Sequence, residues 1–200
     1  MTIIIADESV SSYLVKLASN TPTPGGGAAT AITAAQGAAL LGMVARISGA
    51  EAAVIASVDK GCLRLQELAT IDGKVFDSVM KAMHLPKGTP EERIVRQDKL
   101  EIALKHATEV PLEAMDIMAT LLDTTSEVIR LSKDGVVSDA GIAAELLYAA
   151  LAASKFTVLI NLKYLKDADF KRKAEARMDM VLDGRKELKK QLVKAVKARL

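Results

Sequence analysis

Two long segments of this chain, residues 28–47 and 139–166, are apolar on nearly every side when they are drawn as helices. Neither shows the alternation of apolar and polar residues that marks a half-buried strand. A helix that is apolar all round belongs in a protein interior, where other helices cover it. Half of the residues are apolar but only 3% are aromatic, so small side chains must fill much of that interior. We therefore expect an all-α fold, a single-domain bundle with long central apolar helices.

The rest of the chain has helical periodicity as well. The segment 89–92, Thr-Pro-Glu-Glu, matches a capping box with proline at the first helical position. Pro111 lies inside the helix that follows and is expected to kink or break it near Val110. Ser138 is expected to cap the next helix after a loop at 132–137. We predict about six helices, covering residues 7–19, 28–47, 51–84, 89–131, 139–166 and 168–198.

Composition narrows the functional classes. One domain covering residues 1–200 is long enough for a substantial core. The net charge of +2 argues against nucleic acid as a partner. The single cysteine, Cys62, excludes an internal disulfide framework, and the N-terminus lacks a signal-peptide pattern, so we expect a cytoplasmic protein. Residues 28–45 come nearest to a membrane span, but polar residues interrupt them, so we expect a buried core helix and no membrane partner.

A proline- and glycine-rich loop precedes the first long apolar helix. Residues 20–29 read Asn-Thr-Pro-Thr-Pro-Gly-Gly-Gly-Ala-Ala, which places Pro24 and the triplet Gly25–Gly27 directly before the helix. Glycine permits positive φ angles and lets a ligand approach the main chain, and a helix N-terminus offers free N–H donors. The loop therefore predicts a site for a carboxylate, a phosphate or a polar heterocycle, although a plain helix entry remains an alternative. Since no strand pattern precedes the glycines, a dinucleotide fold or a P-loop is not indicated.

Two aspartates are candidates for acid–base chemistry. Asp72 interrupts an apolar stretch between Ile71 and Gly73. A carboxylate on the buried side of a helix needs an ionic or hydrogen-bonding partner or has a functional role. Asp139 follows Ser138 in the first turn of a predicted helix. A solvent-facing carboxylate for Asp72 and a helix-dipole partner for Asp139 are the structural alternatives. In the functional interpretation both carboxylates face one cavity, where burial tunes one of them as a general base.

Metal ligands and a basic helix are the other polar features. The two histidines, His84 and His106, have no partner at ligand spacing, so no metal is expected. Residues 185–200 carry seven cations against the single acid Glu187. Such a helix suits a solvated surface, with an anionic lipid, RNA or a polyanionic ligand tail as alternatives. No aromatic residues interleave these cations, so base stacking is not supported.

Six short motifs in order resemble the cyclodeaminase/cyclohydrolase family of tetrahydrofolate one-carbon metabolism. That family includes the C-terminal part of formiminotransferase-cyclodeaminase and the methenyltetrahydrofolate cyclohydrolases. The resemblance extends over nearly the whole chain, and each motif alone is weak. The motifs are Thr23-Pro-Gly-Gly-Gly27 with the helix to Val44, Asp72-x-x-x-Phe76, Leu85-Pro-Lys87 with Thr89-Pro-Glu-Glu92, Val110-Pro-Leu112, Ser138-Asp-x-Gly-x-Ala-Ala144, and Ile160-Asn-Leu162 with Leu165-Lys-Asp167.

This resemblance implies an all-helical protein that forms a homodimer and binds a tetrahydrofolate derivative as substrate, without a metal. The implied reaction is that of a methenyltetrahydrofolate cyclohydrolase or of a formiminotetrahydrofolate cyclodeaminase. Both reactions pass through a tetrahedral carbon between two nitrogens and need proton transfers. Asp72 and Asp139 are then the catalytic candidates. The implied substrate-binding residues are Pro24, Gly25, Gly26, Gly27, Ser138 and Asn161, and from their charge we add Lys87 and Arg93 for the glutamate carboxylates of folate.

Some positions depart from the family pattern. The family usually has a basic pair and an aromatic residue after the second helix, where this chain has Gly49-Ala-Glu-Ala-Ala53. It often has Gly-Asn before the Ser-Asp motif, where this chain has Lys133-Asp-Gly135, and Thr157 replaces an asparagine. These changes favour an alternative in which the protein is a catalytically divergent relative that binds folate or a partner.

Overall fold

The computed structural model describes residues 5–200, so the first four residues of the predicted domain lie outside the described part. The described chain is all-α, as expected, and contains no strand between residues 5 and 200. Single-turn 3₁₀ helices occur at Ile5–Asp7 and Asp134–Val136. The α-helices are α1 (Val10–Leu17), α2 (Gly26–Ile47), α3 (Ala52–Met83), α4 (Pro90–Leu131), α5 (Val137–Tyr164), α6 (Ala168–Leu182) and α7 (Arg185–Lys197).

Four long helices form the bundle. α2 packs against α3 and α5, and α4 packs against the other faces of α3 and α5. Alanine and glycine make the contact between α2 and α5 close: a Cβ atom added to Gly37 would lie 3.0 Å from Leu147. Leucines and methionines fill the space towards α4, and those with at most 2% of their surface exposed include Leu41, Leu65, Leu104, Met115, Met118, Leu122, Leu147 and Leu151.

The apolar helices α2 and α5 run antiparallel. The last turn of α2 meets the loop before α5, where Ser48 Oγ accepts a hydrogen bond from Lys133 N at 3.3 Å. Gly25–Gly27 and the last two turns of α5 then meet at the opposite end of the bundle. Gly26–Ile47 and Asp134–Tyr164 are long and apolar enough, by length and composition alone, to cross a membrane. In the bundle, 56% of the most apolar part of the first segment and 39% of that of the second are buried.

Helix boundaries follow the sequence with three differences. The Thr89 capping box is present, with Thr89 Oγ1 accepting from Glu92 N at 3.1 Å. α4 continues unbroken through Pro111. α5 begins at Val137, one residue before Ser138, and no side chain caps it, so the predicted Ser138 cap is wrong. The predicted helix at 168–198 is interrupted, because Gly184 adopts a left-handed φ of 68°.

The basic C-terminal segment is held against the bundle by ion pairs. Arg185 contacts Asp123, and Lys189 Nζ lies 3.1 Å from Glu145 Oε1. Arg199 donates to Ile129 O at 2.8 Å, to Ser132 O at 2.6 Å and to Asp134 Oδ1 at 2.7 Å. Several of the cations in this segment are therefore committed to the fold rather than free for a polyanion.

Candidate functional site

A cavity of about 360 Å³ opens where the N-terminus of α2 meets α3, α4 and the C-terminal turns of α5. Its walls are mostly apolar and include three aromatic rings. Few polar groups reach it, and those that do come from the loop before α2, from α3 and from α5. Its lining residues are Pro22, Thr23, Gly25, Gly26, Gly27, Asp72, Val75, Phe76, Val79, Met80, Met83, Leu104, Ala107, Phe156, Thr157, Ile160, Asn161 and Tyr164. An apolar cavity with a few convergent polar groups is typical of a small-molecule site.

Asp72 is the carboxylate that lines this cavity. Its Oδ2 atom accepts a hydrogen bond of 3.1 Å from Ala28 N, in the first turn of α2. Burial raises the pKa of Asp72 above its ordinary value, while the Ala28 N–H opposes part of that rise. Asp72 is half-buried and faces this cavity, as the functional interpretation required. A raised pKa makes a carboxylate a better proton acceptor than an ordinary aspartate.

Residue 27 must be a glycine because its backbone lies close to the Asp72 carboxylate. A Cβ atom at residue 27 would overlap the Asp72 carboxylate, whereas the same atom at Gly26 would meet nothing within 4 Å. The glycine triplet does not use the left-handed backbone that the sequence suggested, since the described glycines with positive φ are Gly49 and Gly184. The glycine at residue 27 instead makes room for the half-buried Asp72 carboxylate beside the helix N-terminus.

Tyr13 of α1 lies near Asp72, and no local sequence pattern pointed to it as a site residue. Its side chain is buried, and its hydroxyl has no hydrogen-bond partner among residues 5–200. Burial, and to a smaller extent the Asp72 charge, raises the pKa of Tyr13. The phenol therefore stays neutral beside the carboxylate.

Asn161 and the apolar walls come from the helices facing α2. Asn161 Nδ2 donates to Ala107 O at 2.8 Å, which links α5 to α4 at the cavity edge. Phe76 and Met80 stand one turn apart on α3, and Phe156 and Ile160 stand one turn apart on α5. These apolar pairs were missed at the sequence level, because nothing local distinguishes a cavity wall from a helix core.

Lys87 and Arg93 line a second, open cavity of about 580 Å³ together with Arg96 and Lys166. These four cations make no ion pair within residues 5–200. The two cavities are neighbours: Arg96 Nε donates to Met83 O at 3.1 Å, and Met83 lines the Asp72 cavity. The structure thus places a cationic surface beside the Asp72 cavity.

Ser138 and Asp139 lie at the other end of the bundle. Thr157 lies eighteen positions after Asp139 on α5, which corresponds to about 27 Å along a helix. The expectation that Asp72 and Asp139 face one cavity is therefore wrong within a single chain. The divergent segment Gly49–Ala53 is at this same distant end, between α2 and α3.

A groove of about 600 Å³ between α3 and α4 is larger than the Asp72 cavity. Most of its charged groups are paired: Arg64 lies 2.7 Å from both Glu113 and Glu67. Asp116, also in the groove, contacts Arg177, whereas Lys60 makes no ion pair within residues 5–200. Because most of these charges are paired, the smaller Asp72 cavity is the better candidate. No cluster of three potential metal ligands occurs within residues 5–200.

Several known proteins are similar to this chain in sequence or in fold. Residues 9–180 match the family described as formiminotransferase-cyclodeaminase. A methenyltetrahydrofolate cyclohydrolase of Methylorubrum extorquens is 33% identical, over 97% of this chain and 98% of its own length. The mouse formimidoyltransferase-cyclodeaminase is 30% identical over 91% of this chain, which spans only 36% of that protein. The crystal structure of a formiminotetrahydrofolate cyclodeaminase from Thermotoga maritima superposes with a TM-score of 0.78 at 27% identity, covering 98% of this chain and 97% of that one. The chain therefore belongs to the formiminotransferase-cyclodeaminase family.

Proposed function

We propose that this protein is a methenyltetrahydrofolate cyclohydrolase whose proton-transfer group is Asp72. The observation that carries the proposal is the half-buried Asp72 carboxylate, which accepts a hydrogen bond from Ala28 N in an apolar cavity of suitable size. The cyclohydrolase from Methylorubrum extorquens, which matches this chain over nearly its full length, supports the choice of reaction.

The proposed reaction adds water to the positively charged carbon between N5 and N10. Asp72 takes a proton from the water as its oxygen bonds to that carbon, which gives a neutral tetrahedral intermediate. The carbon–N5 bond then breaks while Asp72 returns its proton to N5. The hydroxyl proton leaves to solvent, so the products are 10-formyltetrahydrofolate and one proton.

Substrate orientation follows from the two neighbouring cavities. The tetrahydropterin ring enters the apolar Asp72 cavity, and the glutamate carboxylates extend to Lys87, Arg93 and the adjacent cations. Electrostatic attraction of this kind weakens as salt is added. Gly25–Gly27 line the Asp72 cavity together with Pro22 and Thr23, whereas Pro24 is not among the residues that line it.

The proposal is tested by following the near-UV absorbance of 5,10-methenyltetrahydrofolate. We expect the purified protein to speed its loss above the rate in buffer and to produce 10-formyltetrahydrofolate. A folded protein that leaves that rate unchanged would contradict the cyclohydrolase assignment.

A cyclodeaminase reaction is the second candidate, because the similar Thermotoga maritima protein is described as a formiminotetrahydrofolate cyclodeaminase. With 5-formiminotetrahydrofolate as substrate, appearance of the methenyl absorbance together with ammonia would identify this activity. Binding of tetrahydrofolate without turnover in either assay would support the divergent-relative alternative. The altered segment Gly49–Ala53 lies far from the Asp72 cavity of its own chain, at the same end of the bundle as Ser138 and Asp139.

A homodimer forms, in this proposal, through an apolar face on α2 and α5. Large apolar side chains are exposed along it from one end of the bundle to the other, with Phe156 65% and Ile142 50% exposed. Met43 and Ile47 of α2 are exposed as well. The two-fold axis of this dimer lies near the middle of the face and is perpendicular to the helices. Such an axis brings the Asp139 end of one copy beside the Asp72 end of the other. Ser138 and Asp139 of one chain then approach the Asp72 cavity of the other, which gives both residues a place in one site.

The dimer is measured by light scattering at the concentration used for the assays.

A cytoplasmic location and a reaction without metal remain predictions. Dialysis against a chelator is expected to leave turnover unchanged.

A further inference from the structure

Pro111 removes one backbone hydrogen bond from the middle of α4. A helical residue donates its N–H to the carbonyl four residues earlier, and proline has no N–H to give. The carbonyl that loses its partner is therefore Ala107 O. Both Pro111 and Ala107 are buried, and an unpaired carbonyl in such a place is unfavourable.

A side chain from another helix replaces the missing donor. Asn161 of α5 donates through Nδ2 to Ala107 O at 2.8 Å. A carbonyl can only accept, so the NH₂ group of Asn161 must face Ala107 and the Oδ1 atom must point away from it. The hydrogen bond to Ala107 O thus fixes the orientation of the Asn161 amide.

The remaining acceptor of Asn161 is unused. Asn161 and Ala107 both line the Asp72 cavity, and Asn161 Oδ1 takes part in no hydrogen bond within residues 5–200. An asparagine held in this way offers the cavity an acceptor that cannot turn into a donor without breaking the bond to Ala107.

We propose that Pro111 is a positioning residue: by freeing the Ala107 carbonyl it locks the Asn161 amide, so that Asn161 Oδ1 accepts a hydrogen bond from an N–H group of the bound tetrahydropterin. The identity of the ligand rests on the proposed function. The locked amide itself rests only on the contacts of α4 with α5.

Pro111→Ala tests this directly, because alanine restores an N–H that competes with Asn161 for Ala107 O. We expect the Kd for tetrahydrofolate, measured by calorimetry, and the KM for the methenyl compound to rise about three- to tenfold, the effect of one lost hydrogen bond. We expect kcat to change less and the melting temperature not to fall, since a helix-breaking residue has been removed. Unchanged Kd and KM in a folded variant would overturn the proposal.

A double-mutant cycle separates positioning from a general structural effect. In an Asn161→Leu background the amide is already gone, so Pro111→Ala is expected to cause little further loss of tetrahydrofolate binding. The same fold-change in both backgrounds would show that Pro111 acts without Asn161 and would overturn the proposal.

A third readout needs no ligand. In NMR spectra of the free protein, the side-chain NH₂ signals of Asn161 should exchange slowly with solvent in the wild type and faster in Pro111→Ala. Equal exchange in both proteins would overturn the proposal even if folate binds. If the wild type neither binds nor converts a folate, the proposed function fails, and this exchange measurement still decides whether Pro111 locks the amide.

Discussion

The two ends of the bundle differ in how their polar groups are used. We call them the cavity end, which holds Asp72, and the loop end, which holds Asp139. At the loop end Arg199 donates to Ser132 O and Asp134 Oδ1, and Lys133 N donates to Ser48 Oγ, so polar groups hold the chain together. At the cavity end the Asp72 carboxylate has one backbone donor and the Tyr13 hydroxyl has no partner within residues 5–200. Polar groups without partners in an apolar surrounding indicate a binding site, whereas paired polar groups indicate contacts that hold the fold together.

Loss of the Asp72 carboxylate is expected to have the largest effect. Asp72→Asn keeps an acceptor for Ala28 N but removes the proton-transfer group, so kcat should fall about 10²- to 10⁴-fold. Asp77→Asn, an exposed change on the same helix, is the matched control and should leave kcat unchanged. Near-wild-type turnover in Asp72→Asn would remove Asp72 from catalysis.

Mixing two inactive variants tests whether the loop end of one chain completes the cavity end of another. Asp139→Asn is expected to lower turnover, and a refolded mixture with Asp72→Asn should recover about a quarter of wild-type activity. Half of the dimers are then mixed, and one of their two sites carries both aspartates. No recovery, or full activity of Asp139→Asn alone, would contradict a shared site.

Gly27→Ala probes the close packing at the cavity end. The added Cβ overlaps the Asp72 carboxylate, so we expect about 1–3 kcal/mol of lost stability together with reduced turnover. Gly26→Ala adds the same atom where nothing lies within 4 Å, and denaturant unfolding should show stability equal to or above the wild type. Equal stability of the two variants would mean that Asp72 moves aside without cost.

The cationic cavity beside Asp72 should contribute a smaller effect. Lys87→Gln and Arg93→Gln are each expected to raise KM about two- to fivefold at low salt, because exposed ion pairs are weak. The difference from wild type should shrink as salt is added. Lys197→Gln, an exposed change on α7, should leave KM unchanged. If KM does not respond to Lys87→Gln and Arg93→Gln, the carboxylates of the substrate bind elsewhere.

The smallest expected effect is on how folding stability depends on pH. Burial raises the pKa of Asp72 in the folded state, so folding favours the protonated form and the ionised form reduces stability. Asp72→Asn should therefore melt a few degrees above the wild type at pH 7. The difference should shrink as pH falls through the raised pKa and vanish below the ordinary aspartate value of 3.8. Calorimetry that shows a gap independent of pH would indicate that the charge of Asp72 is not its cause.

Much of the helical skeleton was predictable because its signals are local. The Thr89 capping box acts within one turn and appears as predicted. Pro111 was expected to disrupt α4, yet the helix continues, since Asn161 from α5 supplies the donor that proline lacks. Gly184 interrupts the last predicted helix through its own left-handed backbone, and the preceding Asp183-Gly184 pair was an available turn signal.

The sequence by itself determined an all-α chain with two apolar helices and one carboxylate in an apolar stretch, because helical periodicity and side-chain polarity act over a few residues. Only the tertiary structure decided which ends of those helices meet. The antiparallel packing of α2 on α5 brings Gly27, Asp72 and Asn161 to one cavity and carries Asp139 about 27 Å away along α5. That outcome depends on how alanine and glycine surfaces fit between distant segments, and no local pattern encodes it.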